Sequence, residues 1–326
     1  MVSRPQKGKR IMERKISIVI PAYNEAESVS ELYAQIMASV NSMLEIEKIS
    51  GYEIWFVSDG STDGTVERVK QLIEEDENVH LIAFRKNFGK AKALNTAFRH
   101  VTGDVVFTMD ADLQDDPVEF PRFLDKIDEG YDLVSGWKFN RLDPMEKKLP
   151  SKIFNGVTSK LTGIQLHDFD CGFKAYRLEV VKALDIYGDF HRYIPVLAYR
   201  KGYKIGEITV QHHKREHGKS KYGVERYLRG LFDSVTTTFL LKFSDRPMFL
   251  FGRLGIVSFM ISGFALLGLI CRSISRSRKS GTPLLIAFAG GILAGMLSIY
   301  TGLIGNMIVE NTYRKQFDEN HVKEII

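Results

Sequence analysis

Residues 16–25 have the sequence ISIVIPAYNE, an apolar and β-branched run that leads directly into a polar turn. A short apolar run bounded by turn residues is typical of a strand buried on both faces, here Ile16 to Ile20. Apolar residues then recur at helical spacing from Val29 to Val40. Ser28 and Glu31 have the spacing of a capping box at the start of that helix. The stretch predicts a buried strand, a polar turn and an amphipathic helix in succession.

The same unit recurs further along the chain. Strand-like runs at 53–57, 79–84 and 105–109 alternate with helical patterns at 66–73 and 90–100. An alternation of buried strands with helices favours a mostly parallel sheet that is covered by helices on both faces. We therefore expect an α/β fold of the Rossmann-like type.

Three of the predicted strands end in polar clusters. Their sequences are PAYNE at 21–25, SDGSTDGT at 58–65 and DADLQDD at 110–116. Because ligands in such folds bind at the carboxyl ends of the strands, the clusters predict one shared site. The sequence contains neither a G-x-G-x-x-G fingerprint nor a Walker-type phosphate loop, so a dinucleotide or ATP cradle is not expected.

The third cluster has the residue types of a metal site. Asp110 and Asp112 flank a single residue at a strand end, so both carboxylates can reach one ion or its water ligands, and Gln114 can add a neutral oxygen. Oxygen ligands suit Mg²⁺ or Mn²⁺, which commonly bridges carboxylates to substrate phosphates. A solvated acidic turn is the alternative for this pair. Asp59 has a comparable alternative as a turn residue ahead of Gly60.

Two long uncharged runs lie near the C-terminus, Leu254 to Cys271 with 18 residues and Pro283 to Val309 with 27. As helices they would span roughly 27 and 40 Å, against a hydrocarbon core of about 30 Å. We expect a two-helix transmembrane hairpin over 247–309, which makes the chain a two-pass integral membrane protein. A hairpin buried in a soluble core is the alternative.

Two crossings place both chain ends on one side of the membrane. We expect this side to be the cytoplasm, at a bacterial plasma membrane or an ER-type membrane. The basic hairpin loop at 272–279 opposes that orientation under the positive-inside rule, whereas basic residues that flank the hairpin support it. Ala287, Gly291 and Gly295 recur at every fourth position, which would let a partner helix approach closely and could support a homo-oligomer.

The remaining segments complete the predicted domain organisation. Residues 1–15 are a basic arm that we expect to be disordered, and residues 16–220 form the α/β domain. Apolar residues at helical spacing, with basic residues among them, predict an amphipathic juxtamembrane helix over 221–246. Residues 310–326 are expected to form a cytoplasmic tail.

Charge and cysteine content exclude two classes of protein. The chain has 326 residues with 45 Lys and Arg against 40 Asp and Glu, and the net charge of +5 arises in its apolar C-terminal part. A general nucleic-acid binder needs a basic face, so we expect no nucleic-acid partner. Cys171 and Cys271 lie far apart in the sequence, so a disulfide scaffold is not expected.

Six motifs in the sequence resemble those of a known family and of one group within it. They are IVIPAYNE at 18–25, VSDGSTDG at 57–64, NFGK at 87–90, MDADLQ at 109–114, CGFKAYR at 171–177 and KREHGKSKY at 214–222. The first four resemble the family-two glycosyltransferases, which have the GT-A fold. The last two, with the C-terminal apolar runs, resemble the polyprenyl-phosphate glycosyltransferases. That group includes dolichol-phosphate mannosyltransferase and the bacterial undecaprenyl-phosphate glucosyl- and aminoarabinosyltransferases.

The resemblance implies a nucleotide-diphosphate sugar donor, a divalent metal and an undecaprenyl or dolichyl phosphate acceptor. The residues that it places near the donor nucleotide or its phosphates are Pro21, Ala22, Tyr23, Glu25, Asp59, Lys90, Asp110 and Ala111. Those that it places at the metal are Asp110, Asp112 and Gln114.

On the acceptor side, the resemblance places one acid, and the phosphate itself calls for basic residues. Asp168 aligns with the family's acid near the sugar, where it would orient the donor or assist the acceptor. Arg215 and Lys221 are the leading candidates to bind the acceptor phosphate and, with Asp168, to act in catalysis. Further candidates for the acceptor phosphate are Lys152, Lys138 and Arg192. The sequence SGWK at 135–138 replaces the Gly-Ser-Arg of many members, so any phosphate role there would pass to Lys138.

We therefore expect inverting transfer of a single hexose to the lipid phosphate, with a UDP-glucose-like donor favoured over GDP-mannose. A processive polysaccharide synthase is one alternative. Such enzymes carry a Gln-x-x-Arg-Trp motif, which neither Trp55 nor Trp137 completes. A non-catalytic membrane scaffold that binds nucleotide sugar is the other alternative.

Overall fold

A computed structural model describes residues 14–139, 163–186, 190–213, 246–275 and 281–316, together with a few isolated positions between them. The chain divides into two compact units, Met1–Gly230 and Leu231–Ile326. Each unit is described by itself below.

The first unit alternates strands and helices. Its strands are β1 (Lys15–Ala22), β2 (Gly51–Ser58), β3 (Val79–Ala83), β4 (Val105–Thr108), β5 (Leu133–Lys138), β6 (Lys174–Arg177) and β7 (Ile205–Val210). Its helices are α1 (Val29–Glu45), α2 (Thr65–Glu75), α3 (Lys90–His100), α4 (Phe120–Asp128), α5 (Leu178–Ala183) and α6 (Ile194–Arg200). Short 3₁₀ turns precede α4 and α6, at Pro117–Glu119 and Phe190–Tyr193.

The strands form one sheet in the order β3-β2-β1-β4-β6-β5-β7. The neighbours β3, β2, β1 and β4 pair in parallel, and so do β5 and β7. Among the described strands, only β6 runs antiparallel to its neighbours, which are β4 and β5. The predicted mostly parallel sheet is confirmed. As a result, the carboxyl ends of β1, β2, β4, β5 and β7 lie at one edge.

Apolar side chains fill both faces of this sheet. Alternate residues of a strand point to opposite faces, so Ile16 and Ile18 pack with α1, α2 and α4, whereas Val19 packs with α3, α5 and α6. All three of these strand residues are fully buried. The predicted cover of helices on both faces is confirmed, and this two-sided core holds the turns at the sheet edge in place.

The start of α1 differs from the predicted capping box. The Ser28 hydroxyl donates to the backbone oxygen of Glu25 at 3.0 Å, and it makes no capping bond with the helix. The N–H groups of Ser28 and Val29 also donate to that oxygen. The chain therefore turns already at Glu25. Because the Ser28 hydroxyl bonds to Glu25, it does not accept from the N–H of Glu31 as a capping box requires.

The second unit contains two long helices, α7 (Pro247–Ile274) and α8 (Thr282–Gln316). Their most apolar stretches have mean hydropathies of 2.3 and 1.9, and only 17% and 6% of these stretches is buried. Large apolar side chains such as Phe264 and Ile286 are exposed. A core helix of a soluble protein would be mostly buried. The expected pair of apolar helices is confirmed, and both are candidate membrane spans by length and composition.

The small residues of α8 face α7 of the same chain. A Cβ on Gly291 would lie 2.9 Å from the Cβ of Ser262, and a Cβ on Gly295 would lie 2.7 Å from the ring of Phe259. The Ser262 hydroxyl donates to the carbonyl of Phe288 at 2.6 Å. The close approach that these glycines permit is therefore used within the hairpin. The contacts within one chain are enough to explain the glycine pattern. A homo-oligomer through these helices stays a prediction.

Several predictions concern residues outside the described part of the chain. These are most of the basic arm, Lys152, Arg215, Lys221, most of the juxtamembrane helix over 221–246, and the tail beyond Gln316. At the start of that tail, α8 continues seven residues beyond Val309, where the apolar run ends.

Candidate active site

The turns after β1 and β2 are bonded to each other. The N–H of Asn24 donates to the Ser61 hydroxyl at 3.1 Å, and the Asn24 side-chain oxygen accepts from the N–H of Thr62 at 2.8 Å. Asn24 has a φ of 57°, a left-handed conformation that asparagine tolerates better than most residues. The two turns bring together five of the residues predicted to border the donor: Pro21, Ala22, Tyr23, Glu25 and Asp59.

Asp59 anchors a third loop. Its carboxylate is 5% exposed and accepts from the N–H groups of Phe88 and Gly89, at 2.7 and 2.9 Å. Gly60 adopts a φ of 71°, and a Cβ there would overlap the carbonyl carbon of Lys86. The loop before α3 is therefore packed directly on the turn after β2. Asp59 was predicted to contact the base of the donor, and that contact stays a prediction; in the structure its carboxylate holds this loop.

The anchored loop leads to an ion pair between Lys90 and Asp110. Lys90 is the first residue of α3, and its ammonium contacts the Asp110 carboxylate just beyond β4. Burial disfavours the charged carboxylate, but the nearby Lys90 and Lys138 outweigh burial and lower the pKa of Asp110 to about 2. Burial also disfavours the charged form of Lys90 and would lower its pKa, but the nearby Asp110 carboxylate outweighs burial and raises the pKa of Lys90. Both side chains are therefore charged at neutral pH, and each is partly exposed.

The turn that follows Asp110 is tightly constrained. Leu113 is 6% exposed with a φ of 60°, which is unfavourable by roughly 1–2 kcal/mol for a residue with a side chain. The N–H of Gln114 lies 3.4 Å from the Asp112 carboxylate, and its side-chain amide lies 3.4 Å from the carbonyl of His213. Burial of Leu113 keeps the turn in this conformation, so Asp110, Ala111 and Asp112 have a fixed path at the sheet edge.

A buried ion pair lies beneath the turn. The Asp115 side chain is fully buried, and its carboxylate lies 2.8 Å from the ammonium of Lys138, whose side chain is 9% exposed. Burial would lower the pKa of Lys138, but Asp115 outweighs it and the pKa is raised. Lys138 was predicted to meet the acceptor phosphate and stays a candidate for that role. Here it neutralises Asp115 and adds positive charge near Asp110.

Gly172, two residues before β6, lies against the carboxylate of Asp110. A Cβ on Gly172 would lie 2.7 Å from a carboxylate oxygen of Asp110 and 2.9 Å from its Cγ. The carbonyl of Gly172 accepts from the Thr108 hydroxyl at 2.8 Å. The Nζ of buried Lys174 donates a hydrogen bond to the carbonyl of Cys171, and burial lowers the pKa of this lysine. These bonds fix the backbone on both sides of Gly172. Because Gly172 has no side chain, the Asp110 carboxylate has room beside it.

Asp168 and Arg192 belong to the same region. Asp168 is 2% exposed, and its carboxylate accepts from the N–H of Asp170 at 3.2 Å. Asp170 in turn lies 3.4 Å from the guanidinium of Arg192. The charge of Asp170 also acts on Lys90. The structure thus brings Arg192 and the loop of Asp168 towards the Lys90–Asp110 pair.

The end of β7 joins the turn that carries Asp112. His212 and Asp115 form an antiparallel bridge, and the N–H of His213 donates to the carbonyl of Gln114 at 3.0 Å. The His213 ring lies 3.2 Å from the carboxylate of Asp116. The last described residue before 214–222 is therefore bonded beside Gln114.

The residues at this edge fit a divalent cation that is shared with a substrate. In the described residues, no group of three or more His, Cys, Asp or Glu side chains could hold a metal ion by itself. Asp110, Asp112 and Gln114 carry carboxylate and amide oxygens, the ligand type that Mg²⁺ and Mn²⁺ prefer. Such ions are often held by only one or two protein carboxylates, because substrate phosphates and water supply the remaining oxygen ligands.

Comparison with known proteins assigns the chain to a family. The model of a family described as glycosyl transferase family 2 matches residues 17–185. This chain belongs to that family. The expected glycosyltransferase activity and the GT-A fold class are thereby confirmed, and the matched residues include the turns after β1, β2 and β4.

Two relatives match over almost the whole chain. Dodecaprenyl-phosphate galacturonate synthase from Rhizobium johnstonii is 31% identical over 318 residues, which cover 96% of this chain and 93% of that protein. Undecaprenyl-phosphate 4-deoxy-4-formamido-L-arabinose transferase from Edwardsiella ictaluri is 34% identical and covers 90% and 88%. The predicted similarity to polyprenyl-phosphate glycosyltransferases is confirmed.

Solved structures share the fold of this family member. Glucosyl-3-phosphoglycerate synthase from Mycobacterium tuberculosis, solved with Mn²⁺ and UDP-glucose, has a TM-score of 0.52 at 18% identity and covers 73% of this chain and 84% of that chain. A mannosyltransferase from Pyrobaculum calidifontis, solved with GDP-mannose and Mn²⁺, has a TM-score of 0.50 at 19% identity and covers 94% and 76%.

The structure adds residues that the sequence analysis did not select. Asp115 could have been noticed as an acid within a polar cluster, but its burial against Lys138 depends on strands far apart in sequence. Gly172 lies within a recognised motif, yet its closeness to Asp110 is visible only in three dimensions. Glu207 and Thr209 alternate with the apolar Ile208 and Val210 of β7, so no local signal in the sequence marks Glu207.

Proposed function

We propose that this glycosyltransferase moves a single sugar from a nucleotide-diphosphate sugar to a polyprenyl phosphate at a membrane. The observation that carries the proposal is the Lys90–Asp110 pair and its neighbour Asp112 at the carboxyl edge of the sheet. This constellation occurs in a chain that matches named polyprenyl-phosphate sugar transferases over at least 90% of its length. The two candidate membrane spans agree with a lipid acceptor.

The donor is proposed to bind across the turns after β1, β2 and β4. Residues 21–25 and Asp59 lie next to each other there, so the nucleoside would occupy the side nearest Tyr23, which is 39% exposed. The diphosphate would then extend towards Lys90 and Asp110. A divalent cation held by Asp112, Asp110 and Gln114 would neutralise the phosphate charge of the leaving group. Structural neighbours solved with Mn²⁺ support such an ion, and Mg²⁺ has the same ligand preference.

The proposed reaction is a single displacement. An oxygen of the acceptor phosphate attacks the anomeric carbon and forms the new C–O bond. The bond between that carbon and the diphosphate oxygen breaks, and its electron pair leaves with the nucleoside diphosphate. The anomeric configuration inverts. A phosphate monoester has a second pKa of about 6 and is largely dianionic at neutral pH, so the attacking oxygen needs little help from a base.

The protein's main tasks are then positioning and charge neutralisation. Lys90 is held by the Asp59-anchored loop and can approach the leaving diphosphate, while Lys138 contributes charge from beneath the turn. Asp168 is proposed to orient the sugar or the acceptor. Arg215 and Lys221 are proposed to bind the acceptor phosphate, because the chain enters their segment from beside Gln114.

The sugar and the membrane orientation are finer parts of the proposal. The relatives' names mention galacturonate and a formamido-arabinose, so a UDP-linked uronate or amino sugar joins the UDP-glucose-like donor as a candidate, with GDP-mannose as an alternative. We propose that the hairpin anchors the protein with its glycosyltransferase domain in the cytoplasm, where nucleotide sugars are made.

The direct test uses the full-length protein in detergent. UDP- and GDP-sugars are first compared by thermal shift with Mg²⁺ or Mn²⁺, and stabilising donors are then incubated with undecaprenyl phosphate. We expect a lipid product that carries one sugar. Absence of transfer with every stabilising donor would contradict the proposal, and a long polymer would identify a processive synthase instead.

Asp59→Asn tests the loop that delivers Lys90. Asparagine keeps one acceptor oxygen, but its amide would face the second backbone N–H, so the loop before α3 should loosen. Because misplacement of a positioned group by about 1 Å can cost about 100-fold, we expect kcat to fall between about 10- and 100-fold. Initial rates at saturating donor and acceptor measure this.

Asp76→Asn is the matched control for that variant. Asp76 also accepts from a backbone N–H, that of Asn78 at 2.9 Å, but it lies between α2 and β3, at the opposite edge of the sheet. Its kcat should stay close to that of the unaltered protein. An effect of Asp59→Asn confined to the KM of the donor would instead indicate a contact with the base.

Arg215→Ala tests the acceptor side. If Arg215 binds the acceptor phosphate, its loss removes a charge-assisted contact, and we expect the KM for polyprenyl phosphate to rise about tenfold or more. The affinity for the nucleotide sugar should change little. A radiolabelled-sugar assay over a range of lipid concentrations measures the first, and thermal shift measures the second. An unaltered lipid dependence would remove Arg215 from the acceptor site.

A further inference from the structure

Glu207 on β7 holds the backbone of the loop that carries Asp168. One of its carboxylate oxygens accepts from the N–H of His167 at 2.9 Å and from the N–H of Asp168 at 3.1 Å. The other oxygen lies 2.7 Å from Nδ1 of the His167 ring and 3.2 Å from the His167 N–H. A single carboxylate thus binds two successive peptide groups and one side chain of this loop.

The neighbouring strand holds the same residue from its other side. Ser135 on β5 stands opposite Glu207 in the parallel register, and its hydroxyl lies 3.4 Å from the carbonyl oxygen of Asp168. The peptide groups on both sides of the Asp168 α-carbon are therefore bonded to facing residues of β5 and β7. This arrangement restricts the backbone dihedral angles from which the Asp168 side chain projects.

The ring of His167 makes the arrangement stiffer. It stacks on the indole of Trp137, with ring centroids 3.9 Å apart and planes inclined by 13°. Trp137 belongs to β5, two residues beyond Ser135. The ring is therefore fixed by an aromatic contact and by the carboxylate of Glu207, so neither the backbone nor the side chain of this residue rotates independently.

The contacts of the Glu207 carboxylate are concentrated on one loop position. The Glu207 side chain is only 12% exposed, and a largely buried carboxylate loses hydration that its hydrogen bonds must replace. All the contacts above are made to residues 167 and 168. The acid is thus used to define one loop position, at the same sheet edge as Lys90 and Asp110.

We propose that Glu207 is a positioning residue for Asp168 in the transfer reaction, an inference that rests on the function proposed above. Groups that act on a reacting centre need positions correct to about 0.5 Å, which side chains on loops achieve when a supporting shell locks them. Glu207 acts through Asp168 and does not itself contact the sugar. Its loss should change turnover while donor binding persists.

Glu207→Ala in the full-length protein tests the proposal. We expect kcat to fall about 10- to 100-fold and the KM of the nucleotide sugar to change less than about threefold. Asp132→Ala is the matched control, because Asp132 accepts from the N–H of Lys204 at 2.8 Å at the amino end of the same β5–β7 pair. It removes a comparable bond far from the site, and its kcat should remain near normal.

A double-mutant cycle supplies a readout that a purely structural role would not move. In the background of Asp168→Asn, Glu207→Ala should cause little additional loss, because both changes act on the same group. Glu207→Gln should recover much of the activity of Glu207→Ala, since its amide oxygen can still accept from the two N–H groups. If Glu207→Ala does not fold, Glu207→Asp withdraws the carboxylate by one methylene and serves in the same cycle.

The outcomes separate this inference from the proposed function. Transfer by the unaltered protein together with normal kcat in the Glu207 variants would overturn the inference alone. Full additivity with Asp168→Asn, or equal losses in Asp132→Ala and Glu207→Ala, would overturn it as well. No transfer by the unaltered protein with any donor would overturn the proposed function and, with it, the role of Glu207.

Discussion

Asp112→Ala is expected to lower the transfer rate about 1,000-fold while the protein remains folded. Asp112 lies on the constrained turn after β4, where the N–H of Gln114 lies 3.4 Å from its carboxylate. Asp112 is only partly buried, so the protein should still fold without its carboxylate. The substitution would, however, remove the charge proposed to hold the cation against the leaving diphosphate, and losses of such electrostatic groups cost about 100- to 1,000-fold in kcat.

The measurement combines turnover with metal dependence. Rates are compared across a range of Mg²⁺ or Mn²⁺ concentrations, and thermal unfolding reports folding. Asp125→Ala is the matched control, because Asp125 is an exposed acid on α4 that pairs with Lys48 at 2.5 Å. Asp112→Asn should lie between the two variants, since it keeps an oxygen ligand without the charge. Unchanged turnover of Asp112→Ala with either ion would remove Asp112 from the chemistry.

Gly172→Ala is expected to reduce kcat about 100-fold, although it adds a single methyl group. The new Cβ would stand 2.7 Å from a carboxylate oxygen of Asp110, so that side chain must move and its pairing with Lys90 must change. Displacement of a positioned group by about 1 Å is enough for such a loss. The protein should still fold, because the atoms that must yield belong to the end of a partly exposed side chain.

Two comparisons make this result specific. Gly51→Ala is the control, because a Cβ on Gly51 meets its nearest neighbour, the Cγ of Lys15, at 3.9 Å, an ordinary contact. Combining Gly172→Ala with Asp110→Asn should give no further loss beyond Asp110→Asn alone, since both act on the same carboxylate. Full activity of Gly172→Ala would show that the observed position of Asp110 is not needed for transfer.

Much of the architecture follows from local patterns in the sequence. The buried strand beginning at Ile16 is recognisable because its residues are apolar on both faces, which a parallel sheet between two helix layers requires. The hairpin is recognisable because two long uncharged runs can satisfy their backbone only as helices in lipid. The polar turns were expected to meet because the carboxyl ends of parallel strands share one edge.

The partners of individual charged residues could not be predicted in this way. The structure pairs Lys138 with Asp115 from another strand end, a partner that the sequence did not indicate, and the role of Lys138 at the acceptor phosphate stays a prediction. The Asp59 carboxylate binds the loop before Lys90, a partner that the sequence did not indicate, and its contact with the nucleotide base stays a prediction. A charged side chain pairs with whatever group lies a few ångströms away in space, and sequence separation gives no measure of that distance.

The sequence by itself determined the layered α/β fold, the pair of apolar helices and the residue types at the sheet edge, because burial periodicity and motif spacing are local properties of the chain. Only the tertiary structure decided that Gly172 gives the Asp110 carboxylate its space and that Glu207 holds Asp168. The antiparallel β6 and the parallel pair β5–β7 bring these residues together. Contacts of that kind depend on strand order and register, which are settled by the packing of the whole sheet.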